Sequence, residues 1–218
     1  MNQSEATTTR FPESPISIYD RFTNLYDLMF RFNGYGRSVE RYLRESRLPL
    51  PTGSRILDAG CGTGLLTLAL LRVLERPAKI TAVDLSARSL QTARRAVEKS
   101  GAGPRHKISF VHANVLHLPF PDDSFDFVMT SGVLEYVPLR AGMSELARVV
   151  APGGYLFHLP VRPSPASTLL EIMFRFKAHP LREVSENTAT FFRVLENYHF
   201  PPFEPIGWTK TAVLAQKP

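Results

Sequence analysis

The 218-residue chain is predicted to form one α/β domain built on a doubly wound, mostly parallel sheet. After Gly53 the sequence alternates short β-branched runs with helical runs, the pattern of βαβ units. A glycine-rich turn follows the first of these strands, and an acidic residue ends the second. In such folds these positions meet at the carboxyl edge of the sheet, where ligands bind. A hydrophobic content of 44% suits a single core with decorations.

Hydrophobic periodicity sets the predicted elements of this domain. Strands are predicted at residues 55–59, 79–84, 108–112, 125–130 and 154–159. Helices are predicted between them at 63–74, 87–99 and 139–149. Near the end, 186–197 is predicted as a helix, and 206–208 with 211–216 as a closing pair of strands.

Three segments flank or interrupt the alternating pattern of the single domain at 15–218. Residues 1–14 are polar and are predicted as a flexible arm. Residues 15–50 are predicted as a helical cap of two helices separated by Gly34 and Gly36. Residues 160–186 are predicted as an insertion over the substrate. Its dense apolar run LLEIMFRFKAHP fits a lid, a peripheral membrane contact, or a helix packed on the N-terminal pair; all three interpretations stay open.

Charge and composition narrow the class of partner. Much of the net charge of +6 arises between Arg72 and Lys107, on predicted helices and loops, and is interpreted as a solvated outer face and not a nucleic-acid groove. The single Cys61 cannot form an intramolecular disulfide. With neither a signal-peptide pattern nor a spanning apolar run, a cytoplasmic protein is expected. The six histidines and one cysteine show no metal-ligand spacing, so no metal is expected.

The strongest local signal is ILDAGCGTG at residues 56–64. Glycines are needed where a backbone turns sharply or approaches a ligand closely. A dinucleotide fingerprint reads G-x-G-x-x-G, whereas here the third glycine comes one position earlier and Leu65 occupies the fingerprint position. Asp58 would repel a pyrophosphate but can accept a hydrogen bond from an ammonium group. A nicotinamide-dependent oxidoreductase is therefore the weaker interpretation.

A second signal is VDLS, in which Asp84 ends a predicted strand about twenty residues after Gly64. A carboxylate at this position can accept both hydroxyls of a ribose. The structural alternative is an N-cap for the helix that begins near Ala87, which Ser86 can supply equally well. The ribose role is favoured because the acid and the glycine turn occur together.

These motifs resemble the class I methyltransferases, in particular the branch of ubiquinone and menaquinone biosynthesis C-methyltransferases. The resemblance covers about residues 55–160 and rests on ILDAGCGTG, VDLS, HANVLHLPFPDDSFDFVMTSGVLEYVP and ELARVVAPGGYLFH. It implies a Rossmann-like methyltransferase fold with seven strands, the last antiparallel, and S-adenosyl-L-methionine (SAM) bound across the carboxyl edge.

The resemblance also implies which residues hold SAM. The glycine turn would bind the amino acid portion, the VDLS acid with the next residue the ribose and adenine, and two later residues the adenine edge. The backbone after the fourth strand would line the sulfonium, and two N-terminal tyrosines would reach the cofactor carboxylate. The resemblance thus assigns the amino acid portion to Asp58, Ala59, Gly60, Gly62 and Gly64, the ribose and adenine to Asp84 and Leu85, and the adenine edge to Asn114 and Val115. It assigns the sulfonium to Ser131 and the cofactor carboxylate to Tyr19 and Tyr26. The position of Asn114 is commonly aspartate in the family, and an amide oxygen can still accept from the adenine amino group.

The expected reaction is methyl transfer to oxygen, carbon or nitrogen of a small lipophilic or aromatic metabolite, which needs positioning more than covalent help. A general base is needed for an acidic acceptor, and its candidates are Glu135, Tyr136, His158, His179 and His199. Each has a structural alternative, such as capping, pairing or core packing. A nucleic-acid acceptor is disfavoured because TSGVLEYVP lacks the tetrad of base methyltransferases. A cofactor-binding module without catalysis stays open, as does the oligomeric state.

Overall fold

The computed structural model describes residues 34–46, 48–101 and 105–218. Its strands are β1 (Arg55–Ala59), β2 (Lys79–Asp84), β3 (Lys107–His112), β4 (Phe125–Ser131), β5 (Val150–Leu159), β6 (Arg193–Tyr198) and β7 (Ala212–Gln216). Its helices are α1 (Tyr35–Glu45), α2 (Leu65–Val73), α3 (Ala87–Ser100), α4 (Leu139–Val149), α5 (Pro165–Phe174) and α6 (Leu181–Phe191), with short 3-10 turns at Leu134–Tyr136 and Pro205–Trp208. Within these residues no helix is both long and apolar enough to cross a bilayer.

The strands form one seven-stranded sheet in the order β3-β2-β1-β4-β5-β7-β6. Strands β1 to β5 pair in parallel, and β7 is antiparallel to both β5 and β6. The predicted doubly wound sheet with an antiparallel last strand is therefore confirmed. The first strand, β1, lies in the middle of the sheet, and β2 and β3 follow it outward on one side. The next strand, β4, pairs with β1 on its other side. The loops after β1 and β4 consequently diverge and leave a crevice at the carboxyl edge.

Strand alternation divides the core into two layers. Ile56 on β1 faces the layer that contains α1 and α2, and Leu57 faces the layer that contains α4 and α6. All four side chains of β1 from Ile56 to Ala59 are buried. Asp58 is the one polar side chain among these four. It lies on the same side of the sheet as Ile56 and α2, and it is fully buried. A parallel strand covered on both faces explains why this run reads as continuously apolar apart from Asp58.

Most predicted boundaries of the first five strands and of α2, α3 and α4 are confirmed to within about a turn. The exceptions lie near the C-terminus. Residues 186–197 are not one helix, because α6 ends at Phe191 and Arg193–Tyr198 is the edge strand β6. Residues 206–208 are not a strand, since Pro205–Trp208 forms a 3-10 turn. The closing antiparallel pair is formed by β6 and β7. Pairing between these strands outweighs the helical hydrophobic pattern of residues 193–197.

The N-terminal cap is described only from Gly34 onward. Gly34 is the N-cap of α1 at φ 72°, whereas Gly36 lies inside α1, so the prediction that Gly36 lies between two helices is wrong. The arm at 1–14, the first cap helix, and the two tyrosines Tyr19 and Tyr26 lie outside the described residues.

Candidate active site

A cavity of about 370 Å³ opens at the carboxyl edge of the sheet. Its wall over β1, β2 and β3 comes from the glycine turn and from the residues that follow β2 and β3. Its wall over β4 and β5 comes from the residues after β4 and from the segments around Val161, Leu170 and Lys210. The crevice predicted from the strand order therefore carries the site.

The glycine turn folds back over the end of β2. The backbone amides of Gly60 and Cys61 both donate to the carbonyl oxygen of Val83, each at 2.8 Å. Gly60 has φ 75°, and a Cβ added there would lie 2.0 Å from Cγ2 of Val133. Only glycine satisfies both the backbone conformation and this close approach. Gly60 and Gly62 line the cavity, whereas Ala59 and Gly64 lie behind its wall.

The carboxylate of Asp84 links this turn to the start of α3. Its Oδ2 accepts from the amide of Gly62 and its Oδ1 from the amide of Ser86, both at 2.8 Å. The N-cap of α3 is Ser86, whose hydroxyl accepts from the amide of Ser89. Asp84 is thus not the N-cap, and it also lines the cavity. A carboxylate oxygen has more than one acceptor site, so Asp84 can hold the turn and still accept ligand hydroxyls.

The carboxylate of Asp58 is buried beneath the turn and does not form part of the cavity wall. Its Oδ2 accepts from the hydroxyl of Thr67 on α2, and its Oδ1 is buried without a hydrogen-bond partner among the described residues. Burial, with a smaller contribution from the charge of Asp84, raises the pKa of Asp58 to about 7. An unpaired buried acceptor of this kind suits an ammonium group that approaches through the turn.

Leu85, Asn114 and Val115 line the cavity beyond the ends of β2 and β3. Leu85 is 43% exposed and presents an apolar surface that a flat ring can cover. The side-chain oxygen of Asn114 accepts from the amide of Leu116 at 2.9 Å. That bond uses one acceptor site of the oxygen, which has a second acceptor site.

A tyrosine that sequence analysis did not select also lines the cavity. The hydroxyl of Tyr35, the first residue of α1, donates to the hydroxyl of Ser131 at 2.7 Å, and both residues are in the wall. Burial raises the pKa of Tyr35, which keeps the phenol neutral. The prediction assigned the tyrosine role to Tyr19 and Tyr26. The available signal for Tyr35 was its place directly after a helix-starting glycine.

Of the five candidate bases, only Tyr136 reaches the cavity wall. Burial raises its pKa, so its phenol is neutral and a poor base near pH 7. Glu135 is buried outside the wall, where its Oε1 accepts from the amide of Val161. This is the pairing role that was its structural alternative.

The three histidines do not line the cavity. His158 is buried in β5, and burial, together with the nearby charges of Lys210 and His179, lowers its pKa to about 3. A group that stays neutral at so low a pH is too weak a base for this task. His179 is bonded to the carbonyl oxygen of Leu134 at 3.1 Å. His199 is exposed after the edge strand β6. The described geometry therefore gives no support to His158 or His199 as the general base.

The helix α5 and the residues just after it border the cavity on the side of β4 and β5. Leu170 of α5 and Phe176 just beyond it belong to the wall, and Phe174 is fully buried. The opposite face of α5 carries Leu169 and Ile172, whose exposed fractions are 64% and 74%. Part of the predicted insertion therefore covers the cavity, and part faces solvent.

The described residues bring no three His, Cys, Asp or Glu side chains close enough together to hold a metal ion. The chemistry of the site thus depends on backbone amides, a few carboxylates and hydroxyls, and an apolar wall.

Comparison with known proteins decides the family. Residues 57–158 match the sequence profile of a methyltransferase domain family. The demethylmenaquinone methyltransferase of Corynebacterium urealyticum is 30% identical over 94% of this chain and 92% of that protein. The chain belongs to the class I methyltransferases. The relative from Mycobacterium marinum, also a demethylmenaquinone methyltransferase, is 30% identical over 98% of this methyltransferase and 87% of its own length.

A solved structure shows the same fold. The geranyl diphosphate C-methyltransferase of Streptomyces coelicolor A3(2), in complex with Mg²⁺, geranyl diphosphate and S-adenosyl-L-homocysteine, has a TM-score of 0.66 at 16% identity. The match covers 81% of the methyltransferase and 76% of that chain.

The residues of the methyltransferase fit SAM, its methyl donor. The absence of a Cβ lets the backbone of Gly60 pack against Val133 and still line the cavity, and the carboxylate of Asp84 lines it as well. The buried Oδ1 of Asp58, behind the turn, suits an ammonium. The cavity also falls in the size range of small-molecule sites. The interpretation as a nicotinamide-dependent enzyme is set aside, because the family is SAM-dependent.

Proposed function

We propose that the methyltransferase transfers the methyl group of SAM to oxygen, carbon or nitrogen of a small lipophilic or aromatic acceptor bound over β4 and β5. The observation that carries this proposal is the division of the cavity wall. Over β1 to β3 the wall is made of the glycine turn and Asp84, which suit a nucleoside and an amino acid. Over β4 and β5 it is made mainly of Tyr136, Val161 and Leu170 with their apolar neighbours.

The cofactor contacts follow from this division. The backbone of Gly60 and Gly62 lies at the amino acid portion, the carboxylate of Asp84 at the ribose, and Leu85 with Asn114 at the adenine. With the adenosine over β2 and β3, the opposite end of SAM extends toward Ser131 at the end of β4. SAM supplies a methyl carbon already activated by a positively charged sulfur. The protein therefore contributes alignment and exclusion of water.

The names of similar proteins agree with a lipophilic acceptor. The curated relatives are named for demethylmenaquinone and the solved structure for geranyl diphosphate. Both named molecules carry long apolar portions. The apolar wall around Leu170, Phe176 and Val137 offers a matching surface in this enzyme.

The test is transfer of labelled methyl groups from SAM to a panel of acceptors that includes demethylmenaquinone in its reduced form, geranyl diphosphate and simple phenols. We expect a labelled, solvent-extractable product with at least one lipophilic acceptor. Asp84→Ala should abolish transfer at low SAM concentration, whereas Asp122→Ala, a change at an exposed surface carboxylate, should not. Tight SAM binding with no labelled product from any acceptor would instead support a non-catalytic cofactor-binding module.

A further inference from the structure

Lys210 occupies an unusual place in the fold for a lysine. It precedes β7 and forms an antiparallel bridge with Val161, just after β5. Because β7 runs antiparallel to β5, its first residues lie at the edge where β5 ends, which is the carboxyl edge that carries the cavity. Lys210 is only 1% exposed, yet it belongs to the cavity wall. Fully buried lysines are rare unless they are paired.

The side-chain nitrogen Nζ of Lys210 has a single, long hydrogen bond within the part of the chain that the structure describes. Its Nζ donates to the carbonyl oxygen of Leu159 at 3.3 Å, the long end of the hydrogen-bond range. A lysine ammonium has three N–H donors. Within the described residues, Nζ has no second acceptor and no carboxylate in ion-pair contact. Burial without a counter-ion disfavours the charged ammonium, so the wall of the cavity holds an amine that can accept a proton from a ligand.

Two further buried polar side chains, Glu135 and His158, lie near enough to Lys210 to interact with its charge. Glu135 uses Oε1 to accept from the amide of Val161, and its Oε2 is buried without a partner among the described residues. Both ring nitrogens of His158 are likewise buried without a partner there. Burial lowers the pKa of Lys210, and the charge of Glu135 opposes this shift. Burial thus favours the neutral amine of Lys210, and the charge of Glu135 favours its ammonium form.

The position of Lys210 along the cavity identifies what it faces. The cofactor side of the wall lies over β1 to β3, whereas Lys210 lies beyond β5 with Val161, Leu170 and Phe176. These neighbours are apolar, apart from Thr209 and Tyr136. Lys210 thus places an amine nitrogen in the part of the wall that would contact the acceptor.

We propose that Lys210 binds and ionises the acceptor, which therefore carries one acidic hydroxyl, phenolic or enolic, on an otherwise apolar body. The inference rests on the proposed function and assigns a catalytic residue to it. The acceptor O–H bond breaks, its electron pair stays on oxygen and its proton goes to Nζ, which leaves an ammonium–oxyanion pair. An electron pair of the oxyanion, on oxygen or on a conjugated carbon, then forms the bond to the methyl carbon as the carbon–sulfur pair passes to sulfur. Where carbon is methylated, its hydrogen leaves afterwards as a proton to water.

The assignment explains features that the candidate bases do not. An oxyanion would supply the acceptor that Nζ lacks, and the enclosed site would strengthen the pair relative to water. Tyr136 and His158 remain neutral and need not move a proton. Glu135 keeps its bond to Val161 and stabilises the ammonium form that results from the proton transfer.

The test uses 4-nitrophenol, whose anion is yellow, and 4-nitroanisole, which has the same ring but no acidic proton. Each is titrated into the enzyme loaded with S-adenosyl-L-homocysteine, at a pH below the pKa of the free phenol. We expect bound 4-nitrophenol to show the phenolate spectrum. Lys210→Met should abolish that spectrum and weaken phenol binding about tenfold or more, with little effect on the anisole.

Three controls accompany this measurement. Lys99→Met removes an exposed lysine of α3 and should leave both ligands unaffected. Affinity for S-adenosyl-L-homocysteine and the thermal transition report folding of Lys210→Met. Lys210→Arg keeps the positive charge, so it should retain part of the preference for phenol over anisole; if Lys210→Met does not fold, this variant and the spectrum of the unmodified enzyme carry the test.

The outcomes separate the two proposals. A bound phenol that keeps its neutral spectrum, equal binding of phenol and anisole, or no binding of either would overturn the role of Lys210. Transfer to a lipophilic acceptor that proceeds equally well in Lys210→Met would also overturn it while leaving the proposed function intact. Phenolate binding without transfer to any acceptor would contradict the proposed function instead.

Discussion

Asp84 shows how one side chain can serve structure and ligand together. Its carboxylate accepts from the amides of Gly62 and Ser86, so it holds the glycine turn against the start of α3. The same group lines the cavity. The sequence left two roles open for Asp84, the N-cap of α3 or a ligand contact. Ser86 is the N-cap, so the first role does not belong to Asp84.

Replacing this carboxylate should weaken the binding of SAM. Asp84→Ala removes two charge-assisted acceptors for ribose hydroxyls, and such bonds each contribute enough to change affinity by about tenfold or more. Isothermal titration with SAM measures the change, and Asp122→Ala is the matched control because Asp122 pairs with Arg148 at the surface. Unchanged affinity in Asp84→Ala would contradict the ribose assignment.

Lys210 and Tyr35 illustrate the opposite case, in which sequence gives almost no signal. Each is an ordinary residue type at an inconspicuous position, and neither belongs to the glycine or VDLS motif. Both reach the cavity only because distant segments meet at one edge of the sheet. Tyr35 bonds to a residue 96 positions away. Contacts at such separation cannot be inferred from local spacing.

Among the elements, α5 presents two different faces. Leu170 and Phe174 are buried, while Leu169 and Ile172 point into solvent one helical turn apart. The buried face agrees with a lid over the acceptor. Peripheral membrane contact, one of the interpretations of this segment, stays a prediction that concerns the exposed face.

If the exposed face of α5 contacts lipid, Leu169→Glu with Ile172→Glu should reduce co-sedimentation with anionic phospholipid vesicles. Two buried aliphatic side chains contribute roughly 1.5–3 kcal/mol each, so the apparent affinity should fall about tenfold or more. Leu195→Glu on the edge strand β6, where Leu195 is 44% exposed, is the control for an added carboxylate. Equal sedimentation of all three proteins would argue against the contact.

The C-terminal elements show the limit of periodicity. The segment Arg193–Tyr198 has no clear alternation of burial, because an edge strand is covered on few sides. Its strand conformation comes from pairing with β7. The helix before it begins after Pro180 and ends at Phe191. The hydrophobic pattern of residues 186–197 spans the end of this helix and the edge strand, and it therefore resembles that of one longer helix.

The molecule as a whole carries a buried acid at its centre. Asp58 lies in the central strand β1, fully enclosed between the sheet and α2, where its Oδ2 accepts from Thr67. Burial raises its pKa from 3.8 to about 7. The folded protein therefore binds more protons than the unfolded chain between these values, so folding stability should fall as pH rises through this interval.

Comparison with Asp58→Asn tests this pH dependence in the absence of cofactor. The amide is neutral and its oxygen can still accept from Thr67, so it removes only the titration. The free energy of unfolding of the unmodified protein, relative to that of Asp58→Asn, should decline as pH rises from about 4 through about 7 and level off above it. Urea unfolding at a series of pH values measures both proteins. Parallel curves would show that Asp58 does not carry the shift.

Local sequence was sufficient for the fold class, for the first five strands and for the residues of the glycine turn and of VDLS that line the cavity. Those features depend on hydrophobic period and on glycine and acid at set spacing, and both are properties of short segments. Tertiary structure alone decided that Arg193–Tyr198 is a strand and that Asp58 lies behind the cavity wall. It also decided that Tyr35 and Lys210 line the cavity. These depend on which distant segments pack together, because burial and long-range pairing outweigh the preferences of any one segment.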